Sequence, residues 1–175
     1  MTHGPAAARA RAVIAMGSNL GDRLEYMQSG LDALFDAPGF TFVAVSPVFE
    51  TRPVGGPEQP DYLNAILIAT TTLPARAVLD RCLGIEDAFD RTRTERWGPR
   101  TLDLDLIIYG DEVSDDPELT LPHPRAHERA FVLAPWLAAD PQAQLPGYGR
   151  VADLLAAVGL DGVARLDGAV LHPPA

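Results

Sequence analysis

Residues 101–109 read Thr-Leu-Asp-Leu-Asp-Leu-Ile-Ile-Tyr and form the most regular strand pattern in the chain. Successive side chains of a β-strand point to opposite faces of its sheet. The alternation therefore places Asp103 and Asp105 on one face and the intervening leucines on the other. Gly110-Asp111 follows directly and indicates a turn. This stretch predicts a strand that is buried on one face and presents two carboxylates on the other.

The segments before this strand alternate between strand and helix patterns. Ser18 or Asn19 can cap the first helix, Pro38-Gly39 ends it, and Pro74 opens the second helix. The expected elements are a strand at 12–16, a helix from residue 20, strands at 40–49 and 62–72, and a helix from residue 74. With the strand at 101–109, the order is β-α-β-β-α-β. That order predicts an α+β, ferredoxin-like core, which is a mostly antiparallel sheet with two helices packed on one face.

Smaller elements are expected after the core. They are a short strand at 119–121, helices at 126–136 and 151–158, and a final edge strand at 163–171. A length of 175 residues fits one domain. We expect a flexible N-terminal tail over 1–11 and a single domain over 12–175 that carries these C-terminal additions.

The composition is that of a globular protein, with 47% apolar and 22% charged residues. No apolar run approaches the length needed to cross a membrane, and the first residues lack the apolar segment of a secretory signal. Cys82 is the only cysteine, which excludes an internal disulfide and a cysteine-rich metal site. We therefore expect a cytoplasmic protein without a membrane partner.

The charge pattern limits how this chain can handle phosphate. The net charge is −10, which argues against a general nucleic-acid binder, and all 14 cationic side chains are arginine. Without lysine, a Walker A loop or a kinase strand lysine is impossible. Any phosphate chemistry must use arginine and a metal ion.

Four arginines lie close together in the segment 90–100, directly before the carboxylate strand. They are Arg91, Arg93, Arg96 and Arg100. Guanidinium groups form paired hydrogen bonds with phosphate oxygens, and Trp97 in the same segment can cover a bound ring. A solvated polar loop is the alternative interpretation.

The two aspartates are candidate metal ligands. Residues i and i+2 of a strand lie roughly 6.5 Å apart, so two carboxylates on one face can hold a pair of hard cations between them. Magnesium binds few carboxylates when substrate phosphates complete its shell. A strand with a merely solvated polar face is the alternative, which the neighbouring arginines disfavour.

The segment 50–64 combines a proline- and glycine-rich loop with Tyr62 and Asn64 at a strand start. Stacking by Tyr62 and edge hydrogen bonds from Asn64 suit a flat heteroaromatic ligand. The alternative is a turn and strand with Tyr62 in the core. Further along the chain, His123 and Arg129 flank a proline-rich turn, where a structural histidine remains an alternative.

Four motifs in order make the chain resemble the 6-hydroxymethyl-7,8-dihydropterin pyrophosphokinases. They are Gly-Ser-Asn-Leu-Gly at 17–21, Pro-Asp-Tyr-Leu-Asn at 60–64, Arg-Trp-Gly-Pro-Arg-Thr-Leu-Asp-Leu-Asp at 96–105, and Leu-Pro-His-Pro at 121–124 followed by Arg129 and Phe131. The resemblance runs from about Val13 to Ala139. It implies a folate-pathway enzyme that transfers pyrophosphate from ATP to the hydroxymethyl group of the reduced pterin and releases AMP.

The resemblance also implies a role for each motif residue. Asp103 and Asp105 would hold two Mg²⁺ ions against the ATP phosphates. Tyr62 and Phe131 would sandwich the pterin, and Asn64 would bind its edge. Further pterin contacts would come from the backbone of Thr51 and Val54, and further contacts to the triphosphate from Arg91, Arg93, Arg100 and Arg129, with His123 beside it and Trp97 closing over the site.

Two other functions remain open from the sequence. A magnesium-dependent nucleotidyltransferase also uses paired strand aspartates, but Gly17-Ser18 lies far before Asp103 rather than close to it. A ferredoxin-like regulatory module would bind nucleotide without turnover. This alternative is disfavoured by the joint presence of Asp103, Asp105, Arg100 and His123. We expect a monomer whose partners are ATP and the pterin.

Overall fold

The computed structural model describes residues 8–53, 58–90 and 101–174. In chain order the elements are β1 (Ala10–Ser18), α1 (Arg23–Phe35), β2 (Phe40–Val45), β3 (Phe49–Thr51), β4 (Tyr62–Thr71), α2 (Ala75–Phe89), β5 (Asp103–Tyr109), β6 (Ser114–Asp116), β7 (Leu119–Leu121), a 3₁₀ turn (Ala126–Glu128), α3 (Ala130–Ala139), β8 (Gln144–Leu145), β9 (Gly149–Arg150), α4 (Val151–Val158) and β10 (Val163–Arg165).

A six-stranded sheet organises the molecule, in the order β10-β3-β4-β1-β5, with β2 pairing the far half of β4. The pairings within this sheet are antiparallel. Since β2 and β3 both pair with β4, they act as the two halves of one core strand. The order β-α-β-β-α-β and the α+β, ferredoxin-like class are confirmed.

The two faces of the sheet carry separate apolar clusters. On one face, Met27 and Leu31 of α1 and Val78 of α2 pack against Ile14 and Leu104 and their neighbours. This is the predicted pair of helices on one face. The opposite face carries Val13, Ile66 and Ile107, which are covered by Val132 and Trp136 of α3. The sheet is therefore covered on both sides, with α3 lying over only part of the second face.

Two predicted boundaries in the first half of the chain are wrong. The cap of α1 is Asp22, whose side chain accepts a hydrogen bond from the Glu25 amide, rather than Ser18 or Asn19. Ser18 instead continues the β1 ladder opposite Leu63. The strand expected at 40–49 is divided, because the Ser46 hydroxyl takes the place of a backbone carbonyl in accepting from the Ile66 amide.

Two further differences lie in the second half of the chain. The helix expected at 126–136 is broken at Arg129, whose backbone is extended between the 3₁₀ turn and α3. The last strand is shorter than expected and ends at Arg165, where it pairs with Phe49 on the edge of the sheet. None of the helices in the described ranges combines the length and apolar character that crossing a membrane requires.

Candidate active site

A row of residues crosses three neighbouring strands at one end of the sheet. Asn64 of β4 lies opposite Gly17 of β1, and Gly17 lies opposite Asp103 of β5. Directly opposed residues of paired strands point to the same face, here the face that carries Ile66 and is partly covered by α3. Two strand spacings separate the outer members by roughly 9–10 Å. The row therefore holds an amide and a carboxylate on either side of a residue without a side chain.

Gly17 keeps the centre of this row open. A Cβ atom at this position would lie 3.1 Å from Asn64 Oδ1 and 3.7 Å from a ring carbon of Tyr62. Contacts near 3.1 Å are tighter than ordinary van der Waals packing, so even a methyl group would press on the amide. Gly17 thus contributes to the site through the absence of a side chain, a role that the sequence does not reveal.

The two aspartates lie where the strand alternation predicts. Asp103 and Asp105 are partly exposed, whereas Leu104 and Leu106 on the opposite face are almost fully buried. Asp105 lies opposite Ala15, another small residue of β1. Both carboxylates therefore have small residues, Gly17 and Ala15, as their neighbours on β1.

Asn64 is held in one orientation by a neighbouring strand. Its Nδ2 group donates to Thr51 Oγ1 at 2.6 Å, and both residues are buried. With the nitrogen committed to Thr51, the amide oxygen lies above Gly17. Buried polar groups need partners, so this pair fixes the amide before any ligand arrives.

The turn after β7 brings His123 to the aspartates. Its backbone amide donates to the Ile107 carbonyl at 2.8 Å, which ties the turn to the outer edge of β5. Its Nδ1 atom accepts from the Arg125 amide at 3.3 Å, which leaves the proton on Nε2. Burial lowers the pKa of His123, while the charge of Asp105 opposes that shift. His123 is therefore a neutral N–H donor near pH 7.

Arg129 reaches the same carboxylates from the start of α3. Its extended backbone precedes the helix, and its guanidinium carbon lies 5.4 Å from the centre of the Phe131 ring. Burial lowers the pKa of Arg129, and the negative charges of Asp105 and Asp103 work against that effect. An arginine stays protonated under these conditions, so a positive charge lies beside the two aspartates.

Tyr62 and Phe131 border this face from different elements. Tyr62 is the first residue of β4 and lies opposite Thr51, while Phe131 lies in the first turn of α3, and both are partly exposed. Because α3 packs across β4, the two rings belong to adjoining parts of one layer.

Five expected site residues fall outside the described ranges: Val54, Arg91, Arg93, Trp97 and Arg100.

The two aspartates suit a metal ion whose other ligands come from water and a bound substrate. In the ranges that the structure describes, no group of three or more His, Cys, Asp or Glu side chains is placed to hold a metal ion. Asp103 and Asp105 alone offer hard oxygen ligands on one strand face. Magnesium commonly takes one or two carboxylates and completes its shell with water and substrate phosphates.

Comparison with known proteins shows what this chain is similar to. The family model for 7,8-dihydro-6-hydroxymethylpterin-pyrophosphokinase (HPPK) matches residues 13–141. A 2-amino-4-hydroxy-6-hydroxymethyldihydropteridine pyrophosphokinase of Pseudomonas aeruginosa is 40% identical over 159 residues, covering 91% of this chain and 98% of the relative. A protein of the same name from Mycobacterium tuberculosis is 48% identical over 149 residues, covering 79% and 77%.

A solved structure gives the same fold. The HPPK-DHPS of Plasmodium falciparum superposes with a TM-score of 0.69 at 11% identity, over 92% of this chain and 48% of that one. At this identity the likeness shows the fold alone, and this chain spans about half of the longer protein. Together, the family model over most of the chain and the relatives at 40% and 48% identity carry the assignment. The chain belongs to the 7,8-dihydro-6-hydroxymethylpterin-pyrophosphokinase family.

Proposed function

We propose that this chain transfers the pyrophosphoryl group of ATP to the hydroxymethyl oxygen of 6-hydroxymethyl-7,8-dihydropterin, releasing AMP, in folate biosynthesis. The row Asn64–Gly17–Asp103 is the observation that carries this proposal. It sets a fixed amide, suited to the edge of a flat ring, beside a carboxylate suited to a phosphate-bound cation. The open space over Gly17 connects the two.

The pterin would bind over β4 and the start of α3. Asn64 would read its edge with the oxygen that Thr51 leaves free, and Tyr62 and Phe131 would contact its two faces. Stacked aromatic contacts contribute about 0.5–1.5 kcal/mol each beyond their burial, which favours a planar bicyclic ligand. The backbone of Thr51 and Val54 would supply the remaining edge contacts.

The triphosphate would bind along β5. Asp103 and Asp105 fit two Mg²⁺ ions, which when bound supply charge neutralisation for the phosphate oxygens. The Nε2–H group of His123 would donate to a phosphate oxygen, and Arg129 would add a fixed positive charge. The remaining proposed contacts come from the segment before β5, from Arg91, Arg93 and Arg100, with Trp97 covering the bound ligands.

The reaction forms a bond between the hydroxymethyl oxygen and the β-phosphorus. The bond between that phosphorus and the oxygen of the α-phosphate breaks, AMP leaves with the electron pair, and the hydroxyl proton passes to water. Phosphoryl transfer is accelerated mainly by positioning and by stabilising charge. The described residues would contribute to both effects.

The product of one incubation tests the proposal. ATP, Mg²⁺ and 6-hydroxymethyl-7,8-dihydropterin should yield AMP and the pterin diphosphate in equal amounts. Release of free pyrophosphate would instead identify a nucleotidyltransferase, and release of ADP would identify transfer of a single phosphoryl group. Tight ATP binding without turnover would identify a regulatory module, and each of these results would overturn the proposal.

We further propose that the chain acts as one domain, as a monomer in the cytoplasm. The domain expected at 12–175 begins at least two residues earlier, because Ala10 and Arg11 of β1 pair with Thr71 and Thr70. Residues 1–7 of the expected tail at 1–11 lie outside the described residues. One apolar cluster runs from Ala12 of β1 to Leu171 near the end of the chain, which supports a single domain. The proposed ligands of both substrates come from one chain, which supports a monomer. The single buried cysteine supports a reducing compartment.

A further inference from the structure

The segment 52–61, which leads to the proposed pterin contacts, connects β3 to β4. We call the ends of β3 and β4 that border it the stems, and these two strands pair over only a short stretch. β3 and β4 pair at three positions, Phe49 with Asn64, Glu50 with Leu63 and Thr51 with Tyr62. Beyond Thr51 and Tyr62 the chain leaves the sheet. Thr51 and Tyr62 form the last of these pairs, and Asn64 lies two pairs further in. The geometry of this short junction therefore decides where three proposed pterin contacts point.

One guanidinium connects both stems from behind the sheet. Arg23, the first residue of α1, donates from Nη1 to the Asp61 carbonyl at 2.8 Å and to Glu50 Oε2 at 3.3 Å. Glu50 belongs to β3, and Asp61 immediately precedes Tyr62. A single side chain thus holds the last part of one stem and the first part of the other.

Arg23 acts on the face opposite to the proposed ligands. Glu50 lies opposite Leu63, which belongs to the apolar cluster on the α1 side of the sheet. Thr51 and Asn64 point to the other face. Because Arg23 reaches the stems from the α1 side, it shapes the site without being placed to touch either substrate.

A second side chain anchors the same stem. Asn19, fully buried, donates from Nδ2 to the Pro60 carbonyl at 3.1 Å and to Gln59 Oε1 at 2.9 Å. The carbonyls of residues 60 and 61 are therefore both bound by side chains, one from Asn19 after β1 and one from Arg23 at the start of α1. These side chains hold residues 60 and 61, which precede Tyr62 and lie outside the backbone pairing of β3 with β4.

The ion pair between Arg23 and Glu50 is partly buried. The side chains of Arg23 and Glu50 are 29% and 35% exposed, whereas Arg52 and Asp161, an ion pair 3.8 Å apart at the same loop, are 71% and 105% exposed. Hydrogen bonds from a charged donor in a half-buried setting are stronger than surface ion pairs. The exposed pair is therefore a natural control.

We propose that Arg23 is a positioning residue for the pterin subsite, which joins Glu50 and the Asp61 carbonyl so that Tyr62 and Asn64 are set before the substrate binds. This inference rests on the proposed pterin transfer. The proposal predicts an effect on pterin binding and not on ATP binding, because the hydrogen bonds of Arg23 lie behind the pterin contacts and away from the β5 carboxylates.

Steady-state kinetics of Arg23→Met against the wild type tests the proposal. We expect KM for the pterin to rise about 10-fold, equal to about 1.4 kcal/mol, with KM for ATP within twofold of the wild type. Arg23→Lys keeps the charge but can satisfy only part of the bridge, so we expect a smaller rise of about threefold. The controls are Asp161→Asn at the exposed pair and Arg76→Met at a surface pair with Glu118 remote from the loop, both with unchanged KM values.

Two further measurements keep the proposal falsifiable. If Arg23→Met does not fold, Arg23→Lys and Glu50→Gln must still raise the pterin KM selectively. Without any substrate, amide hydrogen exchange over residues 61–64 must be faster in these variants than in the wild type. A pterin KM within twofold of the wild type, a parallel rise for ATP, a fall in kcat alone, or unchanged exchange would each overturn the role of Arg23. Wild-type protein that makes no AMP would instead refute the proposed function, and the exchange result would still decide the anchoring.

Discussion

The two faces of the same three strands have different compositions at their shared end. On the α1 side, β1, β4 and β5 contribute Met16, Leu63 and Leu104, all buried. On the other side, the residues next to these in sequence, Gly17, Asn64 and Asp103, form one row across the three strands. The helices α1 and α2 cover the first face, while α3 covers only the part of the second face that carries residues such as Ile66. Alternation along a strand thus builds a stabilising face and the proposed binding face from consecutive residues.

Removing a carboxylate from the binding face should give the largest effect on activity. We expect Asp103→Ala or Asp105→Ala to lower kcat at least about 100-fold at saturating Mg²⁺, because each removes a proposed metal ligand at the transferring phosphates. Both side chains are partly exposed, so the midpoint of thermal unfolding should change little. Near wild-type kcat in either variant would contradict the assignment of the binding face.

Leu104, between the two aspartates, should show the reverse behaviour. Leu104→Ala removes a buried side chain from the α1 face and should lower the free energy of unfolding by about 2–5 kcal/mol. Denaturant unfolding measures this change, and kcat per folded molecule should stay near the wild-type value. A variant that is stable but inactive would show that the two faces are not separable.

Adding one methyl group at the centre of the row should weaken pterin binding. In Gly17→Ala the new Cβ atom would press on Asn64 Oδ1, so we expect calorimetric pterin affinity to fall about 10-fold, or about 1.4 kcal/mol. Gly84→Ala is the matched control, because a Cβ atom there meets nothing within 4 Å. Equal pterin affinities in the two variants would show that the space over Gly17 is not used.

The smallest expected effect concerns pH. Burial lowers the pKa of His123 in the folded chain, whereas an unfolded histidine has a pKa of about 6.5. Below that pH the unfolded chain takes up a proton that the folded site resists, so the free energy of unfolding should fall, by at most about 1.4 kcal/mol per pH unit. Above it, the contribution of His123 is constant. His123→Gln should lack this part of the acid-side slope in urea unfolding between pH 5 and about 7, and an identical slope would contradict the neutral assignment.

Much of the fold follows from local pattern. The alternation in β5 predicts the carboxylate face because a strand with one buried face has a fixed register. The predicted start of α1 was wrong. Ser18 and Asn19 are good capping residues, but in the fold Ser18 pairs with β4 and the Asn19 side chain forms hydrogen bonds with residues 59 and 60. Tertiary contacts override capping preference at that point.

The candidate site was only partly predictable for a related reason. Residues with distinctive chemistry, such as Asp103, Asp105 and Asn64, can be recognised from type and motif. The contributions of Gly17 and Arg23 depend on what lies across the sheet from them, which their neighbours in sequence do not show. The break at Arg129 was also missed, because the residues on both sides of it favour a helix and only the fold separates the 3₁₀ turn from α3.

The pairing of β10 with β3 has a consequence for how the protein is made. β10 follows the other strands in the described sequence, yet it covers the outer edge of β3, the strand that carries Thr51. A ribosome delivers the chain from its N-terminus at about 5–20 residues per second, so β1 to β5 can pair while β10 is still being synthesised. Until then β3 has an open strand edge that can pair with another nascent chain. Among the described strands, β10 is therefore both the last to be synthesised and the one that covers the open edge of β3.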